Sequence, residues 1–382
     1  MARACQLGRS TPGYAADHMS TLHAPPDYAG RSLVNLVAEL EHRLSTTAVA
    51  PRLTPELAAG IPDASTYILV LMDGLGTRQL DHRLAATFRD ALAGSIAAPF
   101  PSTTTVSLAT IATGTPPRQH GLLSHMLYMP EHGVFNALKW IGKHGSQVRH
   151  PMETFLPRPN LWERLADSGI EPITVQPGHF RTTPLSRALY RNCRFEAIWS
   201  HDEAAAAALD LAATPGRLIF LYLGDVDFAA HLFGQSSQPY DDAVRVVARV
   251  WDTIVLRLPE HAAMVGTADH GHIDYAAGDK YMVTSNEVAG VDVYGDPRAL
   301  LLRGDRAEEI AAGLPGEWVP LEKARAWWGP GPEHPEFAER APSGVLLADP
   351  GMVLIPGHMD RRLIGYHGGL DPDELEIPIL IA

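Results

Sequence analysis

The sequence predicts an α/β protein built on a mostly parallel central sheet, and three observations carry that expectation. Short apolar runs rich in branched residues recur along the chain, as in Tyr67-Ile-Leu-Val-Leu-Met-Asp73 and Arg217-Leu-Ile-Phe-Leu-Tyr-Leu223. Segments of helical periodicity alternate with them, which is the pattern of strands covered by helices on both faces. Three of the runs lead into Asp or His: Asp73, then Asp225 and Asp227, then Asp269 and His270. Ligands of such sheets bind beyond the carboxyl ends of the strands. Acidic residues and imidazoles delivered there by three separate strands point to a site.

Taken in order, residues 1–30 read as a flexible extension ahead of one catalytic domain over 31–382, with Met19 as an alternative start. Residues 32–44 carry apolar side chains at helical spacing. Residues 67–73 form a buried strand ending in Asp-Gly-Leu-Gly. Residues 95–99 lead into Phe100-Pro101-Ser-Thr-Thr-Thr105, and 106–113 form a helix stopped by Gly114 and Pro116-Pro117. After the strand Arg217–Leu223, residues 240–257 form an amphipathic helix. Residues 263–268 form a third strand, and 376–381 the last. Two stretches break the alternation. Residues 127–184 are rich in Pro, Gly and His, and 273–365 hold several Gly-Pro clusters. They are expected to form a cap, with the main insertion at 273–365 and a second at 127–184.

Composition excludes several function classes. The 382 residues carry a formal net charge of −13, which disfavours nucleic acid and anionic membrane as main partners. A small anionic substrate stays open, because bound cations set the local field. Two cysteines, Cys5 and Cys193, make no disulfide framework, and Cys193 reads as a buried apolar residue. The first twenty residues hold no continuous apolar stretch and no segment is long enough to span a bilayer, so a cytoplasmic protein is expected. Oligomeric state is not legible.

The candidate chemistry lies in Asp73, Thr104, Asp227, His231, Asp269, His270 and His367. Asp227 and His231 are four apart and share one face if the loop turns helically. Asp269-His270 is an adjacent pair at a strand end, and His367 precedes two glycines. Each has an ordinary explanation alone: a turn, a cap, or one of eighteen histidines. Together, in this order and at strand ends, they form a metal-ligand set of mixed carboxylate and imidazole. Such donors suit zinc, with manganese or iron as alternatives. His272 reads as a surface residue. Phe135, Trp140, Phe155 and Trp162 read as core or as a base-stacking platform.

The order of these pieces resembles the type I phosphodiesterase/nucleotide pyrophosphatase family of the alkaline phosphatase superfamily. The matching residues are Met72-Asp73-Gly74, Phe100-Pro101-Ser-Thr-Thr104, Ala112-Thr-Gly114, Pro117, His120-Gly121, Asp227-x-x-x-His231-x-x-Gly234, Asp269-His270-Gly271 and His367-Gly368. The resemblance implies an alkaline-phosphatase-like sheet with an inserted cap. It implies Asp227, His231 and His367 as ligands of one divalent ion, and Asp73, Asp269, His270 and the Thr104 hydroxyl as ligands of a second. It implies Thr104 as the nucleophile, passing through a phospho-threonine, with two cations about 4 Å apart. Where members with diesterase activity commonly have Asn, four residues after His-Gly, this chain has His125, a candidate substrate contact. The implied activity is a two-metal hydrolase of phosphodiesters or nucleotide pyrophosphates, with a small phosphorus-containing substrate such as a nucleotide. A phosphonoacetate-type carbon–phosphorus hydrolase, a phosphomonoesterase and a non-catalytic metal- or phosphate-binding protein are the alternatives.

Overall fold

The strand Thr66–Met72 runs through the middle of a seven-stranded sheet, and every one of its residues is buried. The structure is a computed structural model that describes residues 24–142 and 145–382. Across the sheet the strands are Leu92–Ala97, Glu376–Ile381, Ala262–Thr267, Thr66–Met72, Arg217–Leu223, Glu171–Pro177 and Arg194–Ile198. The last five run parallel to one another, and Glu376–Ile381 opposes both its neighbours.

A strand buried on both faces must be apolar throughout, which is why the run shows no polar alternation. Its side chains divide by parity. Tyr67, Leu69 and Leu71 join the apolar core that contains Leu33, Leu36, Val37, Leu40, Ala109 and Ile111. Ile68, Val70 and Met72 join the opposite core, with Ala204, Ala208, Val244, Val247 and Trp251. The first core uses the helices Leu33–Ser45 and Thr104–Thr113; the second uses His201–Ala212 and Gln238–Val255.

The two Pro- and Gly-rich stretches meet in a second sheet. Its order is Gly316–Pro320, Gly344–Ala348, Ala299–Arg303, Asp292–Asp296, Met126–Met129, Gly133–Asn136 and Ile141–Gly142. A Gly295–Met126 pairing joins the two halves. The stretch 127–184 therefore divides. Its start belongs to this second sheet, whereas the helix Leu161–Asp167 and the strand Glu171–Pro177 return to the main body.

The first 23 residues of the expected extension, including Met19 and Cys5, lie outside the described residues. Packing begins before residue 31: Tyr28 is buried, and its hydroxyl donates to Trp327 O at 2.8 Å and accepts from Phe100 N at 3.2 Å.

Candidate active site

Three neighbouring parallel strands end at one edge, and each is followed by a carboxylate. Asp73 follows Met72 directly, Asp227 lies in the first turn of the helix Asp225–Phe233 beyond Leu223, and Asp269 follows Ala262–Thr267 by two residues. The in-register pairing of Met72 with Leu223 continues into the loops: Asp73 N donates to Leu223 O at 2.9 Å and Asp227 N to Asp73 O at 3.0 Å. Gly74 sits at φ +75, and a Cβ there would lie 2.9 Å from Asp227 Cα and 2.8 Å from His272 Cδ2. A side chain at 74 would push the loops that carry Asp73 and Asp227 apart.

The helix puts His231 one turn beyond Asp227, with Nε2 3.3 Å from Asp227 Oδ1. His367 Nε2 lies 3.2 Å from His231 Nε2 and 3.9 Å from Asp227 Oδ1. His270 Nε2 lies 3.5 Å from Asp73 Oδ1 and 3.3 Å from Asp269 Oδ2. Two overlapping donor groups result. Asp227, His231, His272 and His367 offer atoms all within 4.8 Å of one another, and so do Asp73, Asp227 and His270.

Thr104 opens the ten-residue helix Thr104–Thr113, where backbone N–H groups have no intrahelical partner. Its hydroxyl lies 3.4 Å from Asp73 Oδ1 and 3.2 Å from His270 Nε2. The three threonines differ sharply in setting. Thr103 is buried and hydrogen-bonds Asp296, Thr105 is buried with its hydroxyl unpartnered, and Thr104 alone is partly open. Ser102 fastens this loop to the His367 segment: its carbonyl accepts from His367 Nδ1 at 2.8 Å, while its hydroxyl accepts from Gly368 N and donates to Gly369 O. Ser107 Oγ donates to Asp269 O at 2.8 Å, tying the same helix to the third loop.

The donor chemistry fits divalent cations. Nδ1 of His231, His270 and His367 each faces a backbone carbonyl, of Gly365, Gly271 and Ser102 in turn. A carbonyl only accepts, so each Nδ1 carries a proton and Nε2 is left as the atom that would meet a metal. Asp269 Oδ2 is buried and has no hydrogen-bond donor. Burial, then Asp269 and Asp227, push the Asp73 carboxyl well above the usual carboxylate range. Burial, then His270, His272 and His231, hold His367 well below the usual imidazole range and therefore neutral. Crowded carboxylates around the neutral His367 are what a bound cation relieves.

His272 corrects the surface reading. It is buried, and its Nε2 lies 2.7 Å from Asp227 Oδ1. Burial raises Asp227, but the facing imidazoles of His231, His272 and His270 outweigh it and keep that carboxylate ionised. An ionised carboxylate only accepts, so His272 Nε2 carries the proton, and its Nδ1 is buried without a partner. His272 thus differs from the other three imidazoles: it orients Asp227 rather than offering a lone pair.

Two further contacts were not singled out by sequence. The Tyr222 hydroxyl donates to Asp73 Oδ2, and Asn136 Nδ2 lies 2.9 Å from His125 Nε2. The strand position of Tyr222, two before Gly224, is the signal that could have found the first; nothing local points to the second. Phe135, Trp140, Phe155 and Trp162 are fully buried core residues, not a stacking platform. Cys193 is half-buried rather than fully buried, and burial pushes its thiol far up, away from nucleophilic use. Among the described residues no helix is long and apolar enough to cross a membrane.

The profile of the family described as type I phosphodiesterase / nucleotide pyrophosphatase matches residues 67–292. The chain belongs to this family. The match contains Asp73, Thr104, His125, Asp227, His231, Asp269 and His270 and stops short of His367, which the fold brings back to them. Solved structures of the same fold include murine ectonucleotide pyrophosphatase / phosphodiesterase 5, at TM-score 0.64 and 16% identity, covering 82% of this chain and 87% of that one. Another is phosphonoacetate hydrolase from Sinorhizobium meliloti 1021 in complex with phosphonoacetate, at TM-score 0.61 and 18% identity, covering 84% and 91%. At such identities the likeness establishes the fold: a large central sheet flanked by helices. No curated protein sequence matches the chain. As a member of the type I phosphodiesterase / nucleotide pyrophosphatase family the chain is a hydrolase of phosphoester bonds, and the family is metal-dependent.

Proposed function

We propose that this family member hydrolyses phosphodiesters or nucleotide pyrophosphates, with Thr104 as nucleophile. The observation that carries the reading is the Thr104 hydroxyl, the open one of three, set between Asp73 and His270 at a helix N-terminus. Asp227, His231 and His367 would hold one divalent cation; Asp73, Asp269, His270 and the Thr104 oxygen would hold the other. Zinc suits these donors, with manganese or iron as alternatives. Bound there, the cations supply Lewis acidity that lowers the hydroxyl pKa and neutralises charge on the attacking and leaving oxygens.

The chain itself positions the rest. Asp73 Oδ1 and His270 Nε2 flank the Thr104 hydroxyl, so a cation they hold would meet its oxygen too, and the threonine proton leaves to solvent and ends on the leaving oxygen. As Thr104 Oγ1 bonds to phosphorus, the bond from phosphorus to the leaving oxygen breaks, giving a phospho-threonine and a free alcohol or phosphate. Water then cleaves the Thr–O–P linkage, releasing the phosphorylated product and restoring the hydroxyl. The amides that open the helix at Thr104 and Thr105 face developing charge with a favourable dipole. Tyr222 and His272 hold the outer faces of Asp73 and Asp227.

A carbon–phosphorus hydrolase of the phosphonoacetate type is the second reading, favoured by His125 in place of the amide common in diesterases. Turnover of bis-p-nitrophenyl phosphate, its monoester and phosphonoacetate by the metal-loaded enzyme separates the two. The diester should be the best of the three by about tenfold or more in kcat/KM. Preference for phosphonoacetate would replace the first reading with the second.

His272→Ala should keep two cations per chain but weaken metal binding about 10- to 100-fold, since it removes a group that orients a ligand. Competition with a chromophoric chelator measures this. Loss of a whole equivalent of metal would make His272 a ligand instead.

A further inference from the structure

His125 immediately precedes the strand Met126–Met129, which pairs antiparallel with Gly133–Asn136 so that Met126 faces Asn136. That register brings the Asn136 amide against the His125 ring, at 2.9 Å from Nδ2 to Nε2. The amide cannot be turned the other way. Its Oδ1 accepts the Lys139 backbone N–H at 2.8 Å, and a backbone N–H only donates. The NH2 group therefore faces the imidazole, and Nε2 must accept.

In a neutral imidazole whose Nε2 accepts, the proton is on Nδ1. Burial, then His231 and Lys139, lower the His125 pKa to about 4, so the ring is neutral at ordinary pH. Among the described residues Nδ1 has no hydrogen-bond partner, while His231 and Asp227 are the ring's charged and titratable neighbours on the ligand helix. The backbone is held as well: His125 O accepts from Ala137 N at 2.9 Å, and His125 N donates to Asp296 Oδ2 at 3.4 Å.

We propose that Asn136 is a positioning residue that locks His125 as the Nδ1–H tautomer, so that this imidazole presents one uncharged N–H donor to a non-bridging oxygen of the phosphorus substrate. The donor that diesterases of the family commonly take from an asparagine amide is here rebuilt from two residues, one just ahead of the first strand of a hairpin and one at the end of its second. The role of His125 as a substrate contact rests on the proposed function; the tautomer does not.

Two measurements on the metal-loaded full chain test the proposal. Long-range 15N–1H correlation spectra of the imidazoles report which ring nitrogen carries the proton. Wild-type His125, assigned by its loss in His125→Asn, should show a protonated Nδ1 and an unprotonated Nε2. In Asn136→Asp one carboxylate oxygen still accepts from Lys139 N–H, so the hairpin is kept, while the other can only accept from the ring. The proton should then appear on Nε2. At about pH 9, well above the ordinary imidazole range, kcat/KM for bis-p-nitrophenyl phosphate should fall about 100-fold, as for removal of one preorganised donor. On a His125→Asn background, where the ring is gone, adding Asn136→Asp should cost less than a further twofold. A wild-type proton on Nε2, or an Asn136→Asp protein with unchanged tautomer, overturns the lock whatever the protein hydrolyses. A moved proton with unchanged kcat/KM overturns the donor role.

Discussion

Thr104→Ala should lower kcat for a phosphodiester by about 10⁴-fold or more while the protein keeps its fold and its metal. Loss of an attacking group removes the covalent route entirely, and the remaining binding and electrostatic groups recover only a fraction of the rate. The geometry says why the effect belongs to Thr104 and not its neighbours. Thr104 lies 3.4 Å from Asp73 Oδ1 and 3.2 Å from His270 Nε2, whereas Thr103 and Thr105 are buried. Asp73, Asp269 and His270 remain to bind a cation in the variant, so metal analysis should still give close to two ions per chain. Thr104→Ser, which keeps a hydroxyl, should retain measurable turnover, and the wild-type enzyme trapped in acid should carry label from a phosphorus-labelled substrate on Thr104. Full turnover by Thr104→Ala would end the nucleophile assignment.

Removal of divalent cations should abolish turnover and lower the melting temperature by several degrees, with both restored by adding zinc or manganese. The expected size follows from the site. Asp73, Asp227 and Asp269 crowd one another, and burial together with Asp269 and Asp227 already pushes Asp73 well up in the absence of a counter-charge. A ligand that binds only the folded state at a thousand times its Kd stabilises by about 4 kcal/mol. Differential scanning fluorimetry across a metal titration measures the shift, and elemental analysis gives the stoichiometry. One ion per chain, or none, would defeat the two-cation arrangement.

The sheet was legible because burial on both faces leaves a simple mark. Thr66–Met72, Arg217–Leu223 and Ala262–Thr267 had to be apolar through their middles, and that run length and branching are visible without a fold. The Asp227–His231 pair was legible for a related reason: a spacing of four means one face once the segment is helical, and Asp225–Phe233 is a helix. The second sheet was legible only as an interruption. Nothing in residues 127–184 says that its first strands pair with a partner from 292–296 while its later ones rejoin the main sheet. That choice is a long-range strand pairing, set by which edges are free in three dimensions.

His272 shows the limit most clearly. In sequence it is one residue past Asp-His-Gly, and solvent exposure was the ordinary expectation. Burial against Gly74 and a hydrogen bond to Asp227 give it a different role. Asn136 and Tyr222 reach the site through contacts 11 and 149 residues apart in the chain.

Local pattern alone was enough for five strands of the central sheet, the order of the carboxylates and imidazoles along the chain, and the family. These are local properties: periodicity, composition and motif spacing survive without coordinates. Only packing set which threonine is open, which imidazole nitrogens face carbonyls, and how the Asn136 amide comes to lie against the His125 ring. Those are matters of hydrogen-bond direction and burial, and a chain acquires them only when its distant segments are packed together.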